Sequence, residues 1–309
     1  MTEKLAPIVL FVYNRPWHTR QTLEALANNS LAKDSVLYIY ADGARTNASD
    51  DVLKEVYEVR RIIREKKWCG EVHIIESEVN KGLASSIIDG VTDIINQYGK
   101  IVVLEDDIVT SVGFLQYMND ALQLYQNVDR VMHISGFVPV TTGADRLLET
   151  YFLRFMSCWG WATWKRSWDQ VILDIDYLFK TIPLQRDYKA FNLNGAINLY
   201  RQIEDNYHGN INTWAIRWYS TIFLKKGLCL YPRYSMVDNI GIDLSGEHCS
   251  SPDDRYNVEL AKSIKVEPVK IKESKYGKEY LRRFYIFGTD SSRKKRIRNI
   301  LFRIYKKIK

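Results

Sequence analysis

The first 135 residues alternate short apolar runs with longer segments whose apolar residues recur at helical spacing, and few folds accommodate that pattern. Residues 8–13, 36–40, 72–75, 101–104 and 131–135 are short, rich in β-branched and aromatic side chains, and bounded by turn residues, so they are expected to be strands. Residues 17–29, 50–67, 83–97 and 114–125 are expected to be helices. In the second of these, Val52, Val56, Val59, Ile62 and Ile63 share one face, and Ser49 or Asp50 supplies an N-cap. Units of this length imply an α/β fold with a mostly parallel central sheet. The strands are apolar throughout, as expected when helices cover both faces. In such sheets ligands bind beyond the C-terminal ends of the strands. Three strand ends here carry polar groups: Asn14-Arg15, Asp42-Gly43 and Glu105-Asp106-Asp107.

The second half changes character. Tyr151, Phe152, Phe155, Trp159, Trp161, Trp164 and Trp168 crowd one segment, and Trp214, Trp218, Tyr219 and Phe223 another. Regular strand–helix alternation is lost. The expected organisation is an α/β half over residues 1–140, a second lobe fused to it over 141–280, and a basic tail over 281–309.

Charge is unevenly placed. The chain has a formal net charge of +7, but residues 282–309 hold eleven Lys/Arg and one acid, leaving 33 bases and 36 acids in the remainder. A slightly acidic body with a basic tail does not suit a protein that wraps nucleic acid over its main face. In the tail, Ile297, Ile300, Leu301, Ile304 and Ile308 fall on one helical face among basic residues. Basic amphipathic helices lie in the membrane interface and favour anionic lipid; the alternative is a helix packed on the body. No apolar run reaches the ~20 residues that span a bilayer. The N-terminus shows no secretory signal, and the four cysteines include no Cys-x-x-Cys pair. A cytoplasmic protein, peripheral on the inner membrane face through residues 293–309, is expected.

The acidic triplet is the most pointed chemical feature. Adjacent carboxylates at a strand end repel one another unless a cation sits there. Mg²⁺ and Mn²⁺ suit oxygen ligands and commonly bind one or two carboxylates together with substrate phosphates. The competing reading is a solvated acidic turn before the next helix.

Tyr13-Asn14-Arg15-Pro16, Ala41-Asp42-Gly43, Asn80-Lys81-Gly82-Leu83 and Glu105-Asp106-Asp107 occur in an order and approximate spacing that resemble nucleotide-sugar glycosyltransferases of the A-type fold. Residues 158–168 (Cys-Trp-Gly-Trp-Ala-Thr-Trp-Lys-Arg-Ser-Trp) and 245–249 (Ser-Gly-Glu-His-Cys) resemble bacterial family 2-like sugar transferases, and the triplet is distantly similar to that of the N-acetylglucosaminyltransferase I group. The likeness covers roughly residues 7–250. It implies transfer of a sugar from a nucleotide diphosphate donor, a UDP-sugar, to a glycan or lipid-linked saccharide, with Mn²⁺ or Mg²⁺, in surface polysaccharide synthesis. Residue by residue it implies that Arg15 and Asp42 contact the nucleotide, and that Asn80, Gly82 and Ser86 line the ribose or diphosphate. Asp107 would be the metal ligand, with Glu105 and Asp106 beside it. Trp159, Gly160 and Trp161 would form the floor under the donor sugar, and His248 would lie near the diphosphate.

An inverting reaction needs a general base on the acceptor hydroxyl. The stretch where related enzymes carry it corresponds here to residues 212–218, which lack a carboxylate. Asp169, Glu204, Asp205, Glu247 and Asp243 are the alternatives, and front-face attack with retention is another. Two other classes remain open: a nucleotidylyltransferase, disfavoured because no glycine-rich loop follows the first strand, and a non-catalytic membrane-associated binding protein.

Overall fold

The computed structural model describes residues 4–243 and 254–288. The expected strands and helices of the first half all form. β1 (Ile8–Val12), β2 (Val36–Ala41), β3 (Glu71–Glu76) and β4 (Lys100–Glu105) alternate with α1 (Pro16–Ala27), α2 (Asp50–Ile62) and α3 (Leu83–Tyr98). β5 (Ile108–Thr110), α4 (Phe114–Leu124) and β6 (Val131–Ser135) follow. α2 begins where Ser49 accepts from the Val52 amide, as the N-cap reading required. It stops at Ile62, five residues short of the expected end.

The main sheet has eight strands in the order β3-β2-β1-β4-β8-β6-β9-β7, where β7 is Thr150–Leu153, β8 Trp161–Trp164 and β9 Leu228–Pro232. The pairs β3/β2, β2/β1, β1/β4 and β6/β9 are parallel; β8 enters antiparallel between β4 and β6, and β7 is antiparallel to β9. The aromatic segment therefore supplies a central strand, and residues from both halves of the chain share one sheet. The architecture is the expected α/β fold.

Alternation along β1 shows how both faces are covered. Ile8, Leu10 and Val12 pack with Leu23 and Leu26 of α1 and Val59 and Ile62 of α2. Val9 and Phe11 point the other way, into a core with Ile87, Val91 and Ile94 of α3 and with Ile216, Trp218 and Ile222 of the helix Ala215–Leu224. β1, β4 and β6 are buried on both sides, which is why they read as continuously apolar, whereas the edge strand β3 is largely exposed.

A small second sheet pairs β5 antiparallel with β10 (Val237–Asn239). It lies immediately after the acidic triplet and brings the chain from residue 237 onward across it. Among the described residues no helix is long and apolar enough to cross a membrane. The basic face at 293–309 lies outside the described residues.

Candidate functional site

A cavity of about 850 Å³ opens at the C-terminal ends of β1, β2 and β4. Arg15, Asp42, Asn80, Gly82, Ser86, Glu105, Asp106, Asp107 and Trp159 all line it. Residues from five separate stretches are thus brought together where a parallel sheet places ligands.

Asp42, at the end of β2, is a structural fastener. One carboxylate oxygen accepts the amides of Gly43 and Lys81, both at 2.9 Å, and the other accepts the Gly82 amide at 3.0 Å. A carboxylate has about four lone-pair sites, so most of this one's capacity is spent inside the protein. Asn80 reciprocates, donating from Nδ2 to the Gly43 carbonyl at 2.9 Å. The two side chains lock the turn 80–82 to the end of β2. Gly82 caps α3 with φ +76°, a backbone region that favours glycine.

The triplet is held by Arg15. Its Nη1 donates to Asp107 Oδ2 at 2.7 Å and reaches Asp106 Oδ1 at 3.4 Å, and Nη2 stands 3.8 Å from Asp243. His18 Nε2 is 3.0 Å from the other Asp243 oxygen. The main chain beside Asp107 is gripped as well. Thr22 donates to the Asp106 carbonyl at 2.8 Å, and the Ile240 amide donates to the Asp107 carbonyl at 3.0 Å. Gly241 then passes so close that a Cβ there would fall inside contact distance of Asp107 Oδ2 and 2.6 Å from Arg15 Nη2.

One guanidinium does not balance this wall. Burial, then the charges of Asp107 and Asp106, push the Glu105 carboxyl up to about 8. Burial and the charge of Asp107 push Asp106 to about 7 despite Arg15. Among the described residues no group of three or more His, Cys, Asp and Glu side chains is arranged to hold an ion by itself. The donor set nonetheless fits a hard divalent cation of the kind the resemblance implies. It offers carboxylate oxygens short of positive charge on the wall of an open cavity, with substrate oxygens needed to complete the shell.

The remaining expected site residues are scattered. Trp161 does not line the cavity; it is fully buried in β8, stacked on Trp214 at 5.1 Å and on His133 at 5.4 Å. Trp159, two residues earlier, is on the wall, packed edge-on against Phe137 and Tyr256. Among the base candidates, Asp169 is paired with Lys165 at 2.7 Å. Glu204 and Asp205 lie on the helix Tyr200–Tyr207, and neither lines the cavity; from that helix Gln202 does. Glu247 and His248 fall outside the described residues. The acids that do line the cavity, among the described residues, are Asp42 and the triplet.

Several lining residues escaped the sequence reading: Arg45, Gln202, Gly241, Arg255 and Tyr256. None sits in a recognisable motif. Thr213 is set by Asn206, which accepts its amide and donates to its hydroxyl, each at 2.9 Å. His133, also unremarked, is buried among aromatics. Its Nε2 lies 2.9 Å from the Ser157 carbonyl and its Nδ1 accepts from Trp218 Nε1 at 3.2 Å. Accepting at Nδ1 leaves the proton on Nε2, so the ring donates to Ser157, next to Cys158 and Trp159 on the wall.

No family model matches the sequence, and no curated protein matches it. Among solved structures the chain is similar to a UDP-glucose pyrophosphorylase complexed with UDP-glucose, at 12% identity and a TM-score of 0.39, over 75% of this chain and 91% of that one. It is also similar to mouse xyloside xylosyltransferase 1 in its apo form, at 11% identity and a TM-score of 0.38, over 71% and 82% of the two chains. Likeness at this level does not select a reaction; that rests on the residues of the cavity.

Proposed function

We propose that this chain is a nucleotide-sugar-dependent glycosyltransferase whose donor, a UDP-sugar, occupies the cavity at the ends of β1, β2 and β4. The observation that carries the reading is the convergence there of Arg15, the locked Asp42–Gly82 turn and the acidic triplet, with an aromatic wall at Trp159 in the same cavity. The turn 80–82 and Ser86 flank the ribose and diphosphate. Arg15, Arg45 and Arg255 supply positive charge for the phosphates. Trp159 and Tyr256 offer apolar faces to the sugar.

Mn²⁺ or Mg²⁺, held by Asp107 with Asp106 beside it, would stabilise the charge that gathers on the departing diphosphate. The protein's own part is to orient the donor and to receive the acceptor hydroxyl. The acceptor is a glycan or lipid-linked saccharide, reached from the side of Gln202, Ile211 and Thr213. We assign an inverting course, with the base drawn from Asp243, which contacts His18 and follows the lining residue Ile242, or from Glu247. Anomer-resolved NMR of the product checks this, and retention of configuration would overturn it. The setting we propose is surface polysaccharide synthesis at the inner membrane face, with residues 293–309 on anionic lipid. Deleting them should abolish co-sedimentation with anionic vesicles, and unchanged co-sedimentation would refute membrane contact.

The test of the function is a ligand-observed NMR panel of UDP-, GDP- and CDP-sugars with Mg²⁺, followed by product analysis with saccharide acceptors. Binding of a nucleotide sugar and appearance of a glycosidic product are expected. Consumption of the donor with pyrophosphate to give a nucleoside triphosphate would make the protein a nucleotidylyltransferase. Binding of no nucleotide sugar would overturn the reading.

A further inference from the structure

The pairing of Arg15 with Asp107 has a consequence for how a cation enters. Arg15 Nη1 sits 2.7 Å from Asp107 Oδ2, and its side chain is only 14% exposed. Gly241 lies against the same oxygen and against Arg15 Nη2, leaving no room there for even a methyl group. The oxygen is thus enclosed by a guanidinium and a stretch of backbone, and that backbone is anchored through the Ile240 amide. A divalent ion that took Oδ2 as a ligand while the guanidinium stayed at hydrogen-bond distance would set two like charges against one mostly buried oxygen, which weakens its binding. Arg15 also lines the cavity, within reach of anything placed there.

We propose that Arg15 is an internal counter-ion that competes with the divalent cation for Asp107, and that a nucleoside diphosphate removes the competition by drawing the guanidinium onto its phosphate oxygens. Without nucleotide, Arg15 occupies Asp107 and the cation binds weakly. With nucleotide, Arg15 exchanges a carboxylate for a phosphate, also a strong charge-assisted partner, and Asp107 becomes free to accept the ion. Nucleotide and cation therefore bind with positive coupling, and the coupling is reciprocal. Some coupling would exist in any case through direct contact between ion and phosphate; Arg15 adds to it. The inference deepens the proposed donor site and rests on it. It gives Arg15 a positioning role: the residue holds the wall shut in the free protein and registers the arrival of the diphosphate.

The test is binding of Mn²⁺ alone, followed by loss of the free-ion electron paramagnetic resonance signal, without any turnover. Arg15→Met should bind Mn²⁺ about tenfold more tightly than the wild type in the absence of nucleotide, the size expected for release of one charge-assisted hydrogen bond. Adding uridine diphosphate should improve Mn²⁺ affinity by a smaller factor in Arg15→Met than in the wild type. Arg64→Met removes a charge that is paired with Glu76 at 2.8 Å and lies outside the cavity lining, so it should move the Mn²⁺ affinity by less than about twofold. Equal tightening in both variants would reduce the effect to general electrostatics and overturn the proposal, as would no tightening in Arg15→Met. Should Arg15→Met not fold, the wild-type Arg15 side-chain NMR signals decide. They should shift when uridine diphosphate is added with Mg²⁺ and stay put with Mg²⁺ alone, and a shift with Mg²⁺ alone would contradict the mechanism. If Asp107→Asn left both Mn²⁺ and nucleotide binding unchanged, the donor site itself would fall, which is a separate failure.

Discussion

The cavity's lining at the ends of β1, β2 and β4 can be set beside the part drawn from the second half of the chain. The first is charged and is fastened through the backbone. Asp42 binds three amides, Asn80 a carbonyl, and Asp107 is gripped by Arg15 and by the main chain at Ile240. The second is neutral apart from Arg255, with Trp159 and Tyr256 as its aromatic faces, and is set by side chains. Trp159 leans on Phe137 and Tyr256, His133 holds the carbonyl of Ser157, and Asn206 holds Thr213. Backbone fastening at strand ends fixes groups for a constant, charged part of a ligand. On the proposed function, side-chain packing would leave the other region free to change shape with the sugar and acceptor while the sheet stays the same.

The two tryptophans of the segment 159–161 give the largest test of that contrast. Trp161→Ala should cost about 3–5 kcal/mol of folding stability, because it empties a stacked position inside the sheet. Trp159→Ala should leave the melting temperature nearly unchanged and weaken sugar transfer while sparing uridine diphosphate binding. Similar losses of stability in both would erase the distinction between core and wall. Asp42→Asn comes next. The new amide cannot accept all three backbone N–H groups, and one left unmet costs about 1–3 kcal/mol. Thermal unfolding and nucleotide affinity should weaken together, and unchanged stability would mean the turn 80–82 does not depend on Asp42.

The last prediction concerns pH. Burial depresses the His133 imidazole from 6.5 to about 3. Its folded value lies below its unfolded one, so its contribution to stability is complete above about pH 6.5 and declines as pH falls towards 3. Melting temperature should therefore drop less steeply between pH 7 and pH 4 in His133→Gln than in the wild type. Parallel slopes would show that His133 is not held neutral by the fold.

The charged part of the lining was largely legible in the sequence, because its signals are local. Continuous apolar runs gave the strands, and the polar groups directly after residues 12, 41 and 104 had to fall at one edge of a parallel sheet. The aromatic region was not, because its placement depends on contacts between distant parts of the chain. Nothing near residue 161 announces that β8 inserts antiparallel between β4 and β6, which is what sends Trp161 inward and leaves Trp159 on the wall. Nothing near residue 241 announces that β10 pairs with β5 and carries Gly241 onto Asp107. The partner of the triplet was equally remote: Arg15 lies 92 positions away from Asp107. The sequence could show that these carboxylates wanted a cation, and the fold shows that one of its own side chains answers first.

The most direct measurement of the central claim is calorimetric titration of uridine diphosphate, with and without Mn²⁺, into the wild type and Asp107→Ala. The proposed donor site predicts binding that Mn²⁺ strengthens in the wild type and that weakens on the order of 100-fold in the variant. Equal binding by both proteins, whether or not Mn²⁺ is present, would place the nucleotide away from the acidic triplet and contradict the account.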